Sequence, residues 1–415
     1  MEKLIGAALL GQSGGPTSVI NSSAAGVFIE ALDKDCITHV LAAHHGIKGI
    51  LEEDFFDISK EDKNELQLLL TTPSSVIGSI RYKLKDPKVD DSEYKRILEV
   101  FTKYNIRYFF YNGGNDSMDT CNKISKYIND TGYECRCIGI PKTIDNDLVG
   151  TDHCPGYGSA AKYIATTIME LYHDATVYES KQITIVEIMG RNAGWLTAAS
   201  CLANIRGCGP DLVYLPEKPF DMEQFYQQVT HVVDNKGKCI ICVSEGIKTK
   251  EGKYIPELYS KLAKDSFGHA QLGGTAVCLA RELGKRTTVK IRAIELSLLQ
   301  RCAAHLASKT DVIEAFNAGA EAVKAAINGK TDVMVSFDRP FSDPYIINYD
   351  LISLNEVANK EKTVPLGWIK YDNSGMTNEF YNYALPLIQG ELKAPLESGL
   401  PKFARLRRLN YRIKE

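Results

Sequence analysis

The chain lacks a dominant charge. Its 415 residues carry 49 Lys and Arg against 52 Asp and Glu, a formal net charge of −3. A protein that holds nucleic acid or a membrane over its whole surface needs a strongly basic face, so those partners are not expected. Local basic patches for small phosphates stay open. No apolar run approaches the roughly 18 residues that span a bilayer. Met1 to Leu10 holds one short apolar stretch without a cleavage pattern and runs straight into Gly11-Gln12-Ser13-Gly14-Gly15. It reads as a core strand and not as a signal peptide. The 11 cysteines are an odd number scattered along a long chain. They argue against a disulfide framework and for a reduced, cytoplasmic setting. Cys239-Ile-Ile-Cys242 has the CxxC spacing but sits in an apolar run that reads as a buried strand, where nothing lowers a thiol pKa. No second pair stands at zinc-ligand spacing. A GxGxxG turn and a Walker A loop are also missing, which disfavours a nucleotide-binding oxidoreductase.

What is present is an ordinary globular balance, 44% hydrophobic and 24% charged, in a chain long enough for two or three domains. The commonest unit is a short apolar strand, a Gly-rich or polar turn, then a helical pattern. Leu4 to Leu10 leads through GQSGGPTS to a helix near Val19–Leu32. Arg107 to Tyr111 leads through GGNDS to a helix near Met118–Ile128. Cys135 to Ile140 leads into PKTIDNDL. Ile183 to Ile188 leads through MGRNAG to a helix near Gly194–Ala203. Leu212–Leu215 and Cys239–Val243 read as further buried strands. Helical patterns cover Gly274–Leu283 and Glu314–Ile327, and Asp86-Pro87 and Asp343-Pro344 mark loops. Such alternation predicts parallel sheets with helices on both faces, and two sheets fit the length. The pattern weakens beyond Asp372. The basic ending KFARLRRLNYRIKE reads as a surface-packed tail, or as cations near an anionic substrate.

Ligands of open α/β sheets sit outside the carboxyl ends of the strands. Gly11, Gly14 and Gly15 before one helix, and Gly113-Gly114-Asn115-Asp116-Ser117 before another, can make anion sites from backbone N–H groups. A glycine turn before a helix is as often only a tight turn. The loop Pro141-Lys142-Thr143-Ile144-Asp145-Asn146-Asp147 is more specific. Two carboxylates at i and i+2 after a buried strand need a metal ion or a substrate hydroxyl, and a carboxylate within reach of a hydroxyl can act as general base in phosphoryl transfer.

With GGNDS, PKTIDND, MGRNAG, Ser244-Glu245-Gly246 and RAIELSLLQR (Arg292 to Arg301) in this order, the chain resembles the phosphofructokinases over roughly residues 4 to 350. The resemblance implies two doubly wound, three-layer α/β domains with mainly parallel sheets and the active site in the cleft between them. It places a phosphoryl-donor domain at 1–157 plus about 301–345, a sugar-phosphate domain at 158–300, and a C-terminal segment at about 346–415 packing on both. It implies that Asp145 takes the proton of the 1-hydroxyl of fructose 6-phosphate, with Thr143 and Asp147 as neighbours. Met189, Gly190 and Arg191 hold the sugar phosphate and the transferring group, and Glu245 binds a sugar hydroxyl. Arg292 and Arg301 sit on the sugar 6-phosphate. Gly14, Gly15, Arg81, Gly114, Asp116, Ser117 and Lys142 hold the donor, with Lys83 and Lys85 near Arg81. Arginine suits these places because its planar, always-charged fork binds phosphate oxygens in pairs. Substrate residues lie across a subunit contact in the family, so a homodimer or homotetramer is expected.

The donor is read from two positions where ATP-using members typically have glycine. Asp116 would fill and repel the place of a nucleotide's α-phosphate, and Lys142 puts a cation beside the leaving phosphate. Both favour pyrophosphate, in a reversible step of glycolysis and gluconeogenesis, with Mg2+ bridging the donor oxygens. Asn115 and Asp116 are the expected metal contacts, although Asn115 stands where the family often has an acid. Leu298 replaces a histidine at the sugar phosphate, and Gln182 replaces a cross-subunit arginine for which Lys181 could substitute. Fewer cations imply a looser pocket, open to sugars such as sedoheptulose 7-phosphate, and weak or no allosteric control. An ATP-dependent enzyme and an inactive regulatory subunit are the competing readings.

Overall fold

Apolar runs closed by Gly, Asn or Pro become the strands. The computed structural model describes residues 3–258 and 274–413. Its strands are β1 (Gly6–Gln12), β2 (Ile37–Ala43), β3 (Phe55–Asp57), β4 (Ile106–Gly113), β5 (Arg136–Pro141), β6 (Gln182–Ile188), β7 (Leu212–Tyr214), β8 (Lys238–Ser244), β9 (Lys290–Glu295), β10 (Val333–Ser342), β11 (Tyr345–Ser353), β12 (Leu396–Glu397) and β13 (Leu400–Pro401). One sheet has the order β11-β10-β5-β4-β1-β2-β3, and a second the order β7-β8-β6-β9, while β12 and β13 form a small hairpin. In the first sheet β2, β1, β4, β5 and β10 run parallel, and only the edges β3 and β11 are antiparallel. The second sheet is parallel throughout. Every residue of β1 and of β6 is buried, as expected of strands covered by helices on both faces. The cysteines are free, and Cys239 and Cys242 lie buried in β8.

The strand order positions the site. From β1 the chain moves outward to β2 on one side, while β4 lies on the other. The loops leaving β1 and β4 therefore part at a switch point, where α/β folds bind ligands. Register pairs Gln12 with Asn112 there, and Gly113 with Pro141 at the end of β5. In the second sheet Ile188 of β6 pairs with Ser244 of β8, which sets the MGRNAG and Ser-Glu-Gly turns side by side.

Helices join the two sheets. Asp311, near the start of helix 309–327, accepts the N–H groups of Gly156 and Ser159 at 2.9 Å each, at the head of helix 157–176. It satisfies donors that the first helical turn leaves without partners. The expected boundary near 345 falls at the head of β11, which completes the first sheet; the chain leaves that sheet at Leu354. The C-terminal segment then wraps the molecule. Residues 354–357 pack on helix 115–130, and Ile369, Phe380 and Leu387 join the core of the second half. The last described stretch returns to β3, where Asp57 donates to Leu409 O at 2.9 Å and Tyr411 to Phe55 O at 2.8 Å. The basic tail thus covers an open sheet edge and does not line the cavity between the sheets. No helix among the described residues is long and apolar enough to cross a membrane.

Candidate active site

Five strand-exit loops converge on a cavity of about 260 Å³. The β1 loop brings Gly14 and Gly15 against three cations. Lys142 Nζ donates to Gly15 O at 2.7 Å. A Cβ added at Gly15 would lie 2.9 Å from Nη1 of Arg301 and 4.0 Å from Nη2 of Arg81, so a side chain there would push these cations away. Lys142 is buried, and burial followed by the charges of Arg81 and Arg301 lowers its pKa to about 8, against the pull of Asp145 and Asp147. Burial and then Arg81 also lower the Arg301 pKa. Cations held this close repel one another unless an anion sits among them. An anion such as phosphate suits the space among them.

The loop after β5 carries the two acids. Between them Asn146 adopts a left-handed backbone, φ 54°. Its Nδ2 donates to Tyr383 Oη at 2.7 Å, and its Oδ1 accepts the Cys154 N–H at 2.9 Å. Asparagine tolerates this conformation because its side chain can bond locally. With the middle residue held from behind, Asp145 and Asp147 both line the cavity. The Asp145 N–H donates to Thr143 Oγ1 at 3.1 Å. Both carboxyls are pushed above the usual range: Asp145 by burial and then by Glu245, against Arg191 and Lys142, and Asp147 by burial and then by Asp145. Asp147 Oδ1 and Arg191 Nε are buried without a partner. Buried polar atoms are nearly always paired, so both point to a ligand.

The opposite wall comes from the second sheet. Glu245 Oε1 accepts the Gly190 N–H at 3.3 Å, and burial raises its pKa. Gln300 Oε1 accepts the Met189 N–H at 3.2 Å. A Cβ at Gly246 would stand 1.9 Å from Arg191 O, so the glycine lets the two turns touch. On the donor side Asp116 occupies the first turn of helix 115–130, where backbone N–H groups favour negative charge.

The residues expected from sequence line this cavity, Gly190 and Arg292 excepted. Gly190 lies behind it, held by Glu245. Arg292 lies on edge strand β9, paired with Asp174 at 3.2 Å, away from the cavity of its own chain. Asn115, expected as a metal contact, spends its amide on the chain: its Oδ1 takes the Asn359 N–H at 2.6 Å and its Nδ2 donates to Lys360 O at 2.8 Å. Lys181, expected as a substitute for Gln182, pairs with Asp234 at 2.7 Å on the surface. Gln182 is buried, with its Nε2 donating to Thr184 Oγ1 at 3.2 Å. Leu298 is exposed. Sequence reasoning missed Glu361, which enters the cavity wall from the C-terminal segment. Its surroundings, NKEKT, carry the signature of a solvated charged loop and no other signal.

A family profile described as phosphofructokinase matches residues 7–326. A pyrophosphate–fructose 6-phosphate 1-phosphotransferase of Halomonas elongata is 44% identical over 404 residues, covering 96% of each chain. A protein of the same name from Xanthomonas campestris is 44% identical over 408 residues, again 96% of each. The crystal structure of a pyrophosphate-dependent phosphofructokinase from Nitrosospira multiformis superposes with a TM-score of 0.90 at 38% identity, covering 99% of both chains.

Proposed function

The chain belongs to the phosphofructokinase family, and we propose that it transfers a phosphoryl group reversibly from pyrophosphate to the 1-hydroxyl of fructose 6-phosphate, releasing orthophosphate. The observation that carries this reading is the half-buried Asp145–Asp147 pair facing Lys142, Arg81 and Arg301 across one small cavity. The relatives at 43–44% identity bear the name of this reaction.

Asp145 takes the proton of the 1-hydroxyl as that oxygen attacks phosphorus. The bond to the leaving phosphate breaks in line, and orthophosphate departs. Chemistry of this kind depends on positioning and on stabilising charge spread over the phosphoryl oxygens. Arg81 and Lys142 supply that charge on the donor side, joined by Arg301, which the resemblance assigns to the sugar 6-phosphate and which stands here beside Gly15, and Arg191 reaches the transferring group from the sugar side. Glu245 takes a sugar hydroxyl. The raised Asp145 pKa makes its carboxylate a better proton acceptor near neutral pH.

The same acids fit Mg2+. Asp145, Asp147 and Asp116 offer hard oxygens, and Asp147 Oδ1 has no other partner. Among the described residues no three His, Cys, Asp or Glu are grouped to hold a metal on their own. That suits an ion held by one or two carboxylates and completed by donor oxygens. When bound it would neutralise the donor charge.

Asp116 favours pyrophosphate over ATP, because its carboxylate claims the helix N-terminus that a further phosphate would otherwise use. Intact Asp145, Asp147 and Arg191 count against an inactive regulatory subunit. Arg292, outside its own chain's cavity, serves the sugar phosphate of a neighbouring copy in a homodimer or homotetramer. The setting is the cytoplasm, in glycolysis and gluconeogenesis. Initial rates with Mg2+, fructose 6-phosphate and either donor test the reading, repeated with sedoheptulose 7-phosphate. Turnover with pyrophosphate and little with ATP is the expected result; turnover with ATP alone overturns it.

A further inference from the structure

Residues 359–364 form a strap tied to both sides of the cleft. On the donor side the Asn115 amide holds the backbone of Asn359 and Lys360 at 2.6 and 2.8 Å. Asn359 Nδ2 donates to Asp119 Oδ1 at 3.1 Å, one helical turn further on. Just upstream, Asn355 Oδ1 accepts from Asn122 Nδ2 at 3.1 Å and from Lys126 Nζ. Residues 115, 119, 122 and 126 share one helix face, so the segment runs along helix 115–130 to its N-terminus and then crosses. The Lys362 N–H donates to Asp147 O at 2.7 Å. On the sugar side Asn192 Nδ2 donates to Glu361 Oε1 at 3.0 Å, Trp195 Nε1 to Lys362 O at 3.0 Å, and the Val364 N–H to Glu217 Oε1 at 2.9 Å. Opening the cleft would break one set or the other.

Glu361 is the strap residue that reaches the cavity wall. Behind burial and nearer acids, its charge adds to the upward push on the Asp145 and Asp147 pKa values. Asn115 and Asp116, at the head of helix 115–130, and Glu361 line the same cavity, so the strap borders the donor end of the site.

We propose that this strap, latched by Asn115, is the end wall of the donor site, and that the bulk of Glu361 limits the donor to two phosphates. Asn115 then acts as a positioning residue. The proposal rests on the pyrophosphate reading and adds to Asp116 a second determinant, supplied by a segment more than 200 residues further along the sequence.

The test compares pyrophosphate with inorganic tripolyphosphate, whose terminal phosphoryl group would pass to the 1-oxygen while pyrophosphate leaves. Wild-type enzyme should use tripolyphosphate poorly. Glu361→Ala and Asn115→Ala should each raise the ratio of kcat/KM for tripolyphosphate to that for pyrophosphate by about tenfold or more, the scale of steric discrimination in a pocket. The gain should lie in the KM for tripolyphosphate. Glu361→Gln keeps the bulk and should leave the ratio near wild type. A ratio unmoved in Glu361→Ala overturns the proposal, as does an equal rise in Glu361→Gln, which would assign the effect to charge. Wild-type enzyme that uses ATP and not pyrophosphate would instead overturn the donor reading. Glu361 is exposed at the mouth, so its replacement should leave the fold intact, which thermal unfolding checks.

Discussion

At the scale of single residues, Asp145 and Lys142 face each other with pKa values displaced toward neutrality from opposite sides. The sign of each fixes a limb of the pH profile. As the proposed base Asp145 works ionised, and burial raises its pKa, so kcat/KM should fall on acidification at a higher pH than an ordinary Asp, about 3.9, would allow. In the proposed donor site Lys142 works charged, and burial lowers its pKa to about 8. As pH rises through that value the free enzyme loses the cation, and kcat/KM for pyrophosphate falls. Lys142→Met should remove the alkaline limb. Asp145→Asn should lower turnover by roughly 10²–10⁴-fold and leave fructose 6-phosphate binding, read by calorimetry, largely intact. A near-normal rate in that variant would take the base role from Asp145. Both residues were legible in the sequence because they lie in one short loop after a strand. Glu361 was not. Its place depends on a crossing of the cleft that no local pattern records, and its neighbours are as charged as any solvated turn.

At the scale of elements, the middle residue of Asp145-Asn146-Asp147 carries the loop's shape. Asn146→Gly keeps the left-handed backbone but leaves the buried Cys154 N–H without its partner and takes one of two partners from the Tyr383 hydroxyl, which still donates to Asp152 O. That should cost about 1–3 kcal/mol in urea unfolding. Asn146→Ala should cost more, since alanine also resists positive φ. Equal, wild-type-like stability of the two would show that the loop is shaped elsewhere. The elements themselves were legible in proportion to their burial. Strands β1, β4, β5, β6 and β8 are buried almost throughout, and each announces itself as an apolar run. Strand β9 mixes exposed and half-buried residues, and the β10–β11 hairpin carries Asp338, Asn348 and Asp350 at exposed positions. Neither gives a continuous run. The helix expected at Gly194–Ala203 divides into an α-helical turn at Trp195–Ala199 and a tighter 3₁₀ stretch to Arg206, a change that periodicity does not distinguish.

At the scale of the whole molecule, one chain gathers the cations proposed for the donor but not all of those proposed for the sugar phosphate. Arg301 stands with Arg81 and Lys142 beside Gly15, while Arg292 faces outward from an edge strand against Asp174. Surface ion pairs of this kind hold weakly, so on the proposed reading Arg292 exchanges Asp174 for a stronger partner, a doubly charged phosphate in an adjoining copy. In a two-fold dimer the same patch meets itself, and each copy lends the other its arginine. Mixed oligomers test this directly. Arg292→Ala should raise the KM for fructose 6-phosphate with little change in that for pyrophosphate, and Asp145→Asn should be nearly inactive. A dimer built from one chain of each kind holds one site with both residues intact and one with neither. Exchanging subunits between the two preparations should therefore restore activity with a wild-type KM for fructose 6-phosphate. If Arg292 served its own chain, no pairing of these variants could assemble an intact site, and exchange would leave the activity at the average of the two parents.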